Sequence, residues 1–106
     1  MRLSNSLKIS SKSMKVVFKD TFLTRLESQL EYISRDSPTR ARKFKGDLLK
    51  RIKEIPLKPY SYRKSVYFED GTIRDLIFKG YTIVFRITDE RIEVFGFVKY
   101  QNEPTD

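Results

Sequence analysis

The stretch IRDLIFKGYTIVFRI, residues 73–87, decides the fold. Apolar residues alternate with other types on either side of a Lys-Gly pair, which predicts two β-strands joined by a tight turn. One face of the second strand carries only large apolar side chains: Tyr81, Ile83, Phe85 and Ile87. We therefore expect this face to lie in the core, and the opposite face of the sheet, with Thr82, Val84 and Arg86, to be open to water or to a partner.

The same stretch contains four charged residues: Arg74, Asp75, Lys79 and Arg86. On a solvated face, such residues often form cross-strand pairs and nothing more. Several cations that converge on one small sheet also suit contact with a partner or with phosphate. The sequence leaves both interpretations open.

The segment before these strands predicts a short strand and two helices. MKVVFK, residues 14–19, has the composition of a strand. Apolar residues then recur every three or four positions in two sets: Phe22, Leu23, Leu26, Leu30 and Ile33, and then Ala41, Phe44, Leu48, Ile52 and Ile55. Ser37 and Pro38, between the two sets, are a preferred N-cap and a preferred first helical residue. A link this short predicts an antiparallel helical hairpin.

After Pro59 the pattern changes from helical to alternating. We predict strands near residues 65–69, 72–78, 81–88 and 91–98, and connections this short make them an antiparallel meander. The predicted fold class is α+β. It has an N-terminal strand and an antiparallel helical hairpin packed on a mainly antiparallel sheet of about four strands.

Composition excludes several kinds of chemistry. The chain has 106 residues, no cysteine and no histidine. It therefore lacks a disulfide framework, a thiolate metal site and every form of histidine catalysis. The sequence also has no metal-ligand spacing, no Gly-rich phosphate loop and no run apolar enough to span a membrane. We predict one cytoplasmic domain with no cofactor and no metal.

The two ends of the chain differ from its middle. Residues 1–13 are Ser-rich and basic and lack the apolar run of a signal peptide, so we expect a disordered extension. Met14 begins the patterned part and is a candidate translation start. The domain is predicted to span residues 14–100, and residues 101–106 form a short tail.

The net charge of +8 points to an acidic partner or a polyanion. Cations are densest between Arg40 and Lys64, on the outer face of the second predicted helix and the loop after it. Clustered cations in such places contact phosphate backbones, although a solvated helix face is the plain alternative. The candidate contact residues for a target or nucleic acid are Arg40, Arg42, Lys43, Arg63, Lys64, Lys79 and Lys99.

The order of these segments resembles the toxin subunits of the RelE/ParE superfamily of bacterial type II toxin–antitoxin modules. The likeness covers about residues 14–100. It is carried by the strand MKVVF, the corner YISRDSPTRARKF, the helix end IKEIPLKP, and then IRDLIFKGYTIVFRI and IEVFGFVKY. Within them, Arg74 with Leu76, and Tyr81 with Ile83, Phe85 and Arg86, match positions that often recur in the superfamily.

The resemblance implies a toxin that a cognate antitoxin neutralises in a hetero-oligomer. It leaves the target open. ParE-like members inhibit DNA gyrase by binding it, and the long helical hairpin favours this class. RelE-like members cut mRNA on the ribosome, and in that case the catalytic candidates are Arg74, Arg86 and Tyr100. The chain has Ile73, Asp75 and Thr82 where RelE-like enzymes carry basic residues, which weakens the case for cleavage. An inactive relic that only binds its antitoxin is a third possibility.

Overall fold

The predicted helical hairpin and meander are both present in a computed structural model, which describes residues 14–99. Its elements are β1 (Lys15–Phe18), α1 (Asp20–Asp36), α2 (Pro38–Lys53), β2 (Arg63–Lys64), β3 (Ile73–Phe78), β4 (Tyr81–Ile87) and β5 (Arg91–Lys99). Two short 3₁₀ turns, Ile55–Leu57 and Pro59–Ser61, follow α2. The predicted N-terminal extension and C-terminal tail, together with Tyr100, lie outside the described residues.

The strands of the described region form one sheet in the order β1-β5-β4-β3-β2. The neighbours in β2–β5 are antiparallel, as predicted for a meander, and β1 runs parallel to β5. At the end of β1, the Lys19 N–H donates to the Val94 carbonyl at 2.9 Å and the Thr21 hydroxyl to the Phe95 carbonyl at 2.8 Å. The α+β fold class is therefore confirmed, and the first and last strands of the described region are neighbours.

The core lies between the helical hairpin and one face of the sheet. All four residues of the predicted core face of β4 are buried, and so are Phe22 and Leu26 of α1. The apolar face of α2 is buried as well: Ala41, Phe44, Leu48 and Ile52. Full burial of each large aliphatic or aromatic side chain contributes about 1.5–3 kcal/mol, so this interface is the main source of stability.

Local sequence sets the two tight connections of the fold. At the corner between the helices, the Ser37 hydroxyl accepts the Arg40 N–H at 3.1 Å, and Pro38 stands at the start of α2. Between β3 and β4, Lys79 and Gly80 both have positive φ, at 47° and 83°. Two positive φ values in succession form the turn type that fits the twist of a β-hairpin, and glycine adopts them without strain.

The predicted strand at residues 65–69 is wrong. Arg63 and Lys64 pair with β3, the Ser65 N–H donates to the Ile73 carbonyl at 2.9 Å, and the chain then leaves the sheet. Side chains capture its backbone N–H groups in place of a neighbouring strand: the Asp75 carboxylate accepts from Val66 at 3.1 Å, and the Ser65 hydroxyl from Tyr67 at 3.2 Å. We call residues 60–72, which run along this edge of the sheet, the strap.

The prediction of an open second sheet face also needs correction. Thr82 and Val84 on that face are each only 2% exposed. The strap covers part of the face, and its Phe68 ring packs edge-on against Phe95 with centroids 5.7 Å apart. β5 contributes Gly96, where a Cβ atom would stand 2.8 Å from Val84 Cβ, so the backbone approaches Val84 closely. The chain itself therefore covers part of the face that we expected to be free, whereas Ile77 and Arg86 on the same face are exposed.

Candidate functional site

Arg74, a catalytic candidate, holds the strap in place. Its Nε donates to the Gly71 carbonyl at 2.8 Å, and its Nη1 donates to the carbonyls of Tyr60 at 3.1 Å and Tyr62 at 2.8 Å. The guanidinium also lies over the Tyr60 ring, 4.9 Å from the centroid. A planar guanidinium with several fixed donors suits this task, because it bonds both ends of the strap at once.

Asp75, the next residue, acts on the strap from the other side of the sheet. Successive side chains of a strand point to opposite faces. Asp75 is 2% exposed, and its Oδ2 accepts from Arg63 Nη2 at 3.3 Å as well as from Val66. Its Oδ1 is buried without a hydrogen-bond partner in the described part of the chain. Arg74 and Asp75 thus clamp the strap between them, which accounts for two of the four charges in residues 73–87.

The proposed catalytic arginines lie on opposite faces of the sheet. In the β3–β4 register Arg74 pairs with the buried core residue Phe85, whereas Arg86 pairs with Ile73. Arg86 is exposed on the second face, with its guanidinium carbon 5.9 Å from the centroid of the Phe95 ring. Two side chains on opposite faces do not converge on one phosphate. Tyr100, the third candidate, lies outside the described residues.

Four of the predicted contact residues meet in one groove. Arg40, Lys43, Lys79 and Lys99 line an open groove of about 490 Å³. The remaining lining residues are Gln29, Tyr32 and Ile33 of α1, Phe44 of α2 and Tyr81 of β4. We call this site the cationic groove. It lies where the helical hairpin meets the β3–β4 hairpin and the end of β5, and both helices, the β3–β4 turn, β4 and β5 supply its walls.

The fold explains why these cations face one groove. Arg40 and Lys43 are three residues apart on α2, so they share a side of that helix. The positive-φ turn projects Lys79, and Lys99 is the last residue of β5. The apolar floor keeps these elements together, because the rings of Phe44 and Tyr81 pack edge-on with centroids 5.3 Å apart.

Asp47 ties two of the cations together at the edge of the groove. Its Oδ2 lies 3.3 Å from Lys43 Nζ and 3.4 Å from Lys79 Nζ. The hydrogen bond from Lys43, together with the weaker effect of Lys79, holds the pKa of the Asp47 carboxyl below its ordinary value. The two ammonium groups are therefore no farther apart than these two distances combined, and one carboxylate oxygen bridges them.

Two tyrosines add to the groove. Tyr32 is 59% exposed, and Lys99 Nζ lies 5.9 Å from the centroid of its ring. Tyr81 is buried, and this burial raises the pKa of its phenol, so the phenol stays neutral at physiological pH. The groove therefore offers fixed positive charge and aromatic surface, which suit the binding of an anion rather than proton transfer.

The other three predicted contact residues lie elsewhere. Arg42 lines a groove of about 590 Å³ on the other side of the hairpin. Its charged lining residues are Arg42, Lys45, Glu27 and Glu31. We call that site the mixed groove. Arg63 is engaged by Asp75, and Lys64 is an exposed residue of the short edge strand β2.

Sequence reasoning missed Gln29 and Tyr32 as parts of the site. Both are on α1, and they reach the groove only because the hairpin folds back against the β3–β4 turn and β5. The one available signal was Tyr32 itself, a large aromatic residue outside the predicted apolar stripe. Within residues 14–99, no cluster of acidic side chains is placed to hold a metal ion. No helix in that range is long and apolar enough to cross a bilayer.

Comparisons with known proteins agree with this fold. The family model of the ParE toxin of the type II toxin–antitoxin system, parDE, matches residues 16–103. The chain belongs to the ParE toxin family. It is therefore the toxin component of a type II toxin–antitoxin module, and a cognate antitoxin is its partner.

The fold of the toxin also occurs in a solved structure, a chain of the chromosomal ParDE TA system from P. aeruginosa. The TM-score is 0.69, and the match covers 84% of this chain and 98% of that chain. The two sequences are 15% identical, so this likeness supports the fold alone. A search among proteins of curated function gave no match.

Proposed function

We propose that the toxin acts by binding DNA gyrase in the bacterial cytoplasm, with the cationic groove as a contact surface and without a cofactor. The observation that carries the proposal is the assembly of Arg40, Lys43, Lys79 and Lys99 in one groove. Gyrase and the DNA it holds present the anionic groups that such a surface attracts. The cognate antitoxin neutralises the toxin by forming a hetero-oligomer with it.

The arrangement of the arginines favours binding over RNA cleavage. Stabilising a cleaved phosphodiester requires cations that converge on one phosphate, with a base for the ribose hydroxyl. Arg74 is committed to three carbonyls of the strap, and Arg86 lies on the opposite face. Neither geometry supports a RelE-like active site built on these two residues.

Two matched double variants test the proposal. R40Q/K43Q removes two charges from the cationic groove. R42Q/K45Q removes the same number from the mixed groove on the same helix, and all four side chains are exposed. The assay is supercoiling by purified gyrase with full-length toxin freed of antitoxin. We expect the wild-type toxin and R42Q/K45Q to inhibit, and R40Q/K43Q to need at least a tenfold higher concentration.

Two results contradict the proposal. One is a folded wild-type toxin that leaves supercoiling unchanged, and the other is equal inhibition by both double variants. Ribosome-dependent breaks in mRNA, mapped by primer extension in a translating system, would assign the toxin to the RelE-like class instead. Such breaks would also require a catalytic cluster other than Arg74 with Arg86.

A further inference from the structure

The cationic groove combines two features that occur together in sites for unpaired nucleotides. It holds four cations against the single carboxylate of Asp47, and it exposes the ring of Tyr32. Proteins that bind single strands use cations for the backbone and aromatic rings for the bases. We infer that the groove binds single-stranded nucleic acid, with phosphates on Arg40, Lys43 and Lys79 and a base stacked on Tyr32.

The Asp47 contacts show that Lys43 and Lys79, at the edge of the groove, lie close enough together to share one oxyanion. One carboxylate oxygen lies within 3.4 Å of both Lys43 Nζ and Lys79 Nζ. A phosphate oxygen has the same hydrogen-bonding chemistry, with more charge to share. Asp47 is itself partly exposed, so an incoming phosphate displaces a solvated carboxylate and opens no buried pair.

Tyr32 makes an unpaired strand a better ligand than a duplex. The Tyr32 side chain is more than half exposed, and the Lys99 ammonium lies near the ring. There it can neutralise the phosphates of a strand that follows the groove. The bases of a duplex are stacked on one another and do not offer their faces to a protein ring, whereas unpaired bases do. The groove volume of about 490 Å³ lies within the range of sites for small ligands, which suits a short stretch of strand.

The mixed groove lacks the excess of positive charge that distinguishes the cationic groove. It borders the same helix and is of similar size, but Glu27 and Glu31 face its two cations. Carboxylates at those positions repel phosphates, so the mixed groove is the natural control. DNA and RNA share the chemistry that the cationic groove recognises. The choice between them rests on the proposed function: if gyrase is the target, the bound strand is the DNA that gyrase holds.

The test measures binding of fluorescent single-stranded oligonucleotides, one of DNA and one of RNA, by full-length toxin in 50–200 mM salt. The affinity for a single strand falls with salt by a slope of about 0.7 for each phosphate contact. We expect R40Q/K43Q to reduce that slope by about 1.4, and R42Q/K45Q to leave it unchanged. Tyr32→Leu should weaken binding about tenfold with the slope retained.

The variant Asp47→Asn should bind the oligonucleotides more tightly than the wild-type toxin. This variant removes the carboxylate that competes with phosphate for Lys43 and Lys79. We expect several-fold tighter binding at low salt. Tighter binding also shows that loss of the Lys43–Asp47 contact, which R40Q/K43Q shares, does not by itself prevent binding. Weaker or unchanged binding in Asp47→Asn contradicts the placement of phosphate between these lysines.

The outcomes separate this inference from the proposed target. Inhibition of gyrase without groove-dependent oligonucleotide binding overturns the inference and leaves the target standing. Groove-dependent binding without an effect on gyrase supports the inference and overturns the target, and preference for the RNA oligonucleotide would then point to an RNA ligand. If R40Q/K43Q weakens only the binding of an acidic antitoxin peptide, the groove is a protein site and the inference is wrong.

Discussion

The strap edge of the sheet and the cationic groove use charge in opposite ways. At the strap, the charged groups of Arg74 and Asp75 bond the protein's own backbone. In the groove, Arg40, Lys43 and Lys79 lie on the surface, and Asp47 is the one carboxylate of residues 14–99 that forms an ion pair with any of them. Charge density along the sequence does not distinguish these two uses, but the number of backbone partners does. We expect the first group to control stability and the second to control function.

The largest effect that we expect is on stability, from Arg74→Ala. This variant loses three charged hydrogen bonds and the contact with the Tyr60 ring, so the free energy of unfolding should fall by about 2–4 kcal/mol. Arg74→Lys should recover only a small part, because an ammonium cannot reproduce the planar fork of donors. Urea denaturation followed by circular dichroism measures both. Full recovery by lysine would mean that charge alone holds the strap.

A smaller loss is expected at Asp75. Asp75→Ala leaves the Val66 N–H and Arg63 without their acceptor, which should cost about 1–3 kcal/mol. Asp75→Asn keeps an oxygen for Val66 and loses only the pair with Arg63, which is half exposed, so it should cost less than alanine. Equal losses in the two variants would show that the ion pair, not the bond to Val66, fixes the strap.

The groove variants should leave stability nearly unchanged. Arg40 and Lys43 are exposed, and surface substitutions of this kind usually change the free energy of unfolding by less than about 0.5 kcal/mol. The same denaturation assay applied to R40Q/K43Q and R42Q/K45Q checks this. A loss above about 1 kcal/mol in R40Q/K43Q alone would mean that the groove cations also hold the fold, and the contrast between the two regions would fail.

The smallest expected effect concerns acid pH. Hydrogen bonds from Thr72, mainly from its hydroxyl, lower the pKa of the Asp70 carboxyl in the strap below its ordinary value of 3.8. A carboxyl with a lowered folded-state pKa stabilises the fold above its unfolded-state pKa. That stabilisation is lost as pH falls through the folded-state pKa. Asp70→Asn should therefore flatten the decline of the urea midpoint below about pH 4. An unchanged decline would exclude this carboxyl as a contributor.

Sequence patterns predicted most of the elements because local rules govern them. The Ser37–Pro38 corner, the Lys79–Gly80 turn and the apolar core face of β4 all follow from side chains within a few residues. The strand at residues 65–69 was mispredicted for the opposite reason. The backbone N–H groups of Val66 and Tyr67 donate to side-chain acceptors, one of them the distant Asp75, and alternation alone does not reveal such partners.

The candidate site was only partly accessible from sequence. The residue types were predicted, and four of seven contact residues do meet. Their meeting, however, depends on how the hairpin lies against the β3–β4 turn and β5. The placement of Arg74 and Arg86 on opposite faces follows from the register of β3 with β4, which the sequence left unassigned. Tertiary contacts between distant segments decide both points.

The parallel pairing of β1 with β5 has a consequence for synthesis of the toxin. Thr21 bonds Phe95 across 74 residues of sequence, and β1 has no partner other than β5 among the described strands. Contacts of such high sequence separation are slow to form, and a growing chain gains these only after β5 has been made. The nascent toxin therefore cannot close its sheet until β5 has been synthesised. A chain that stops before Arg91 should show no cooperative unfolding transition.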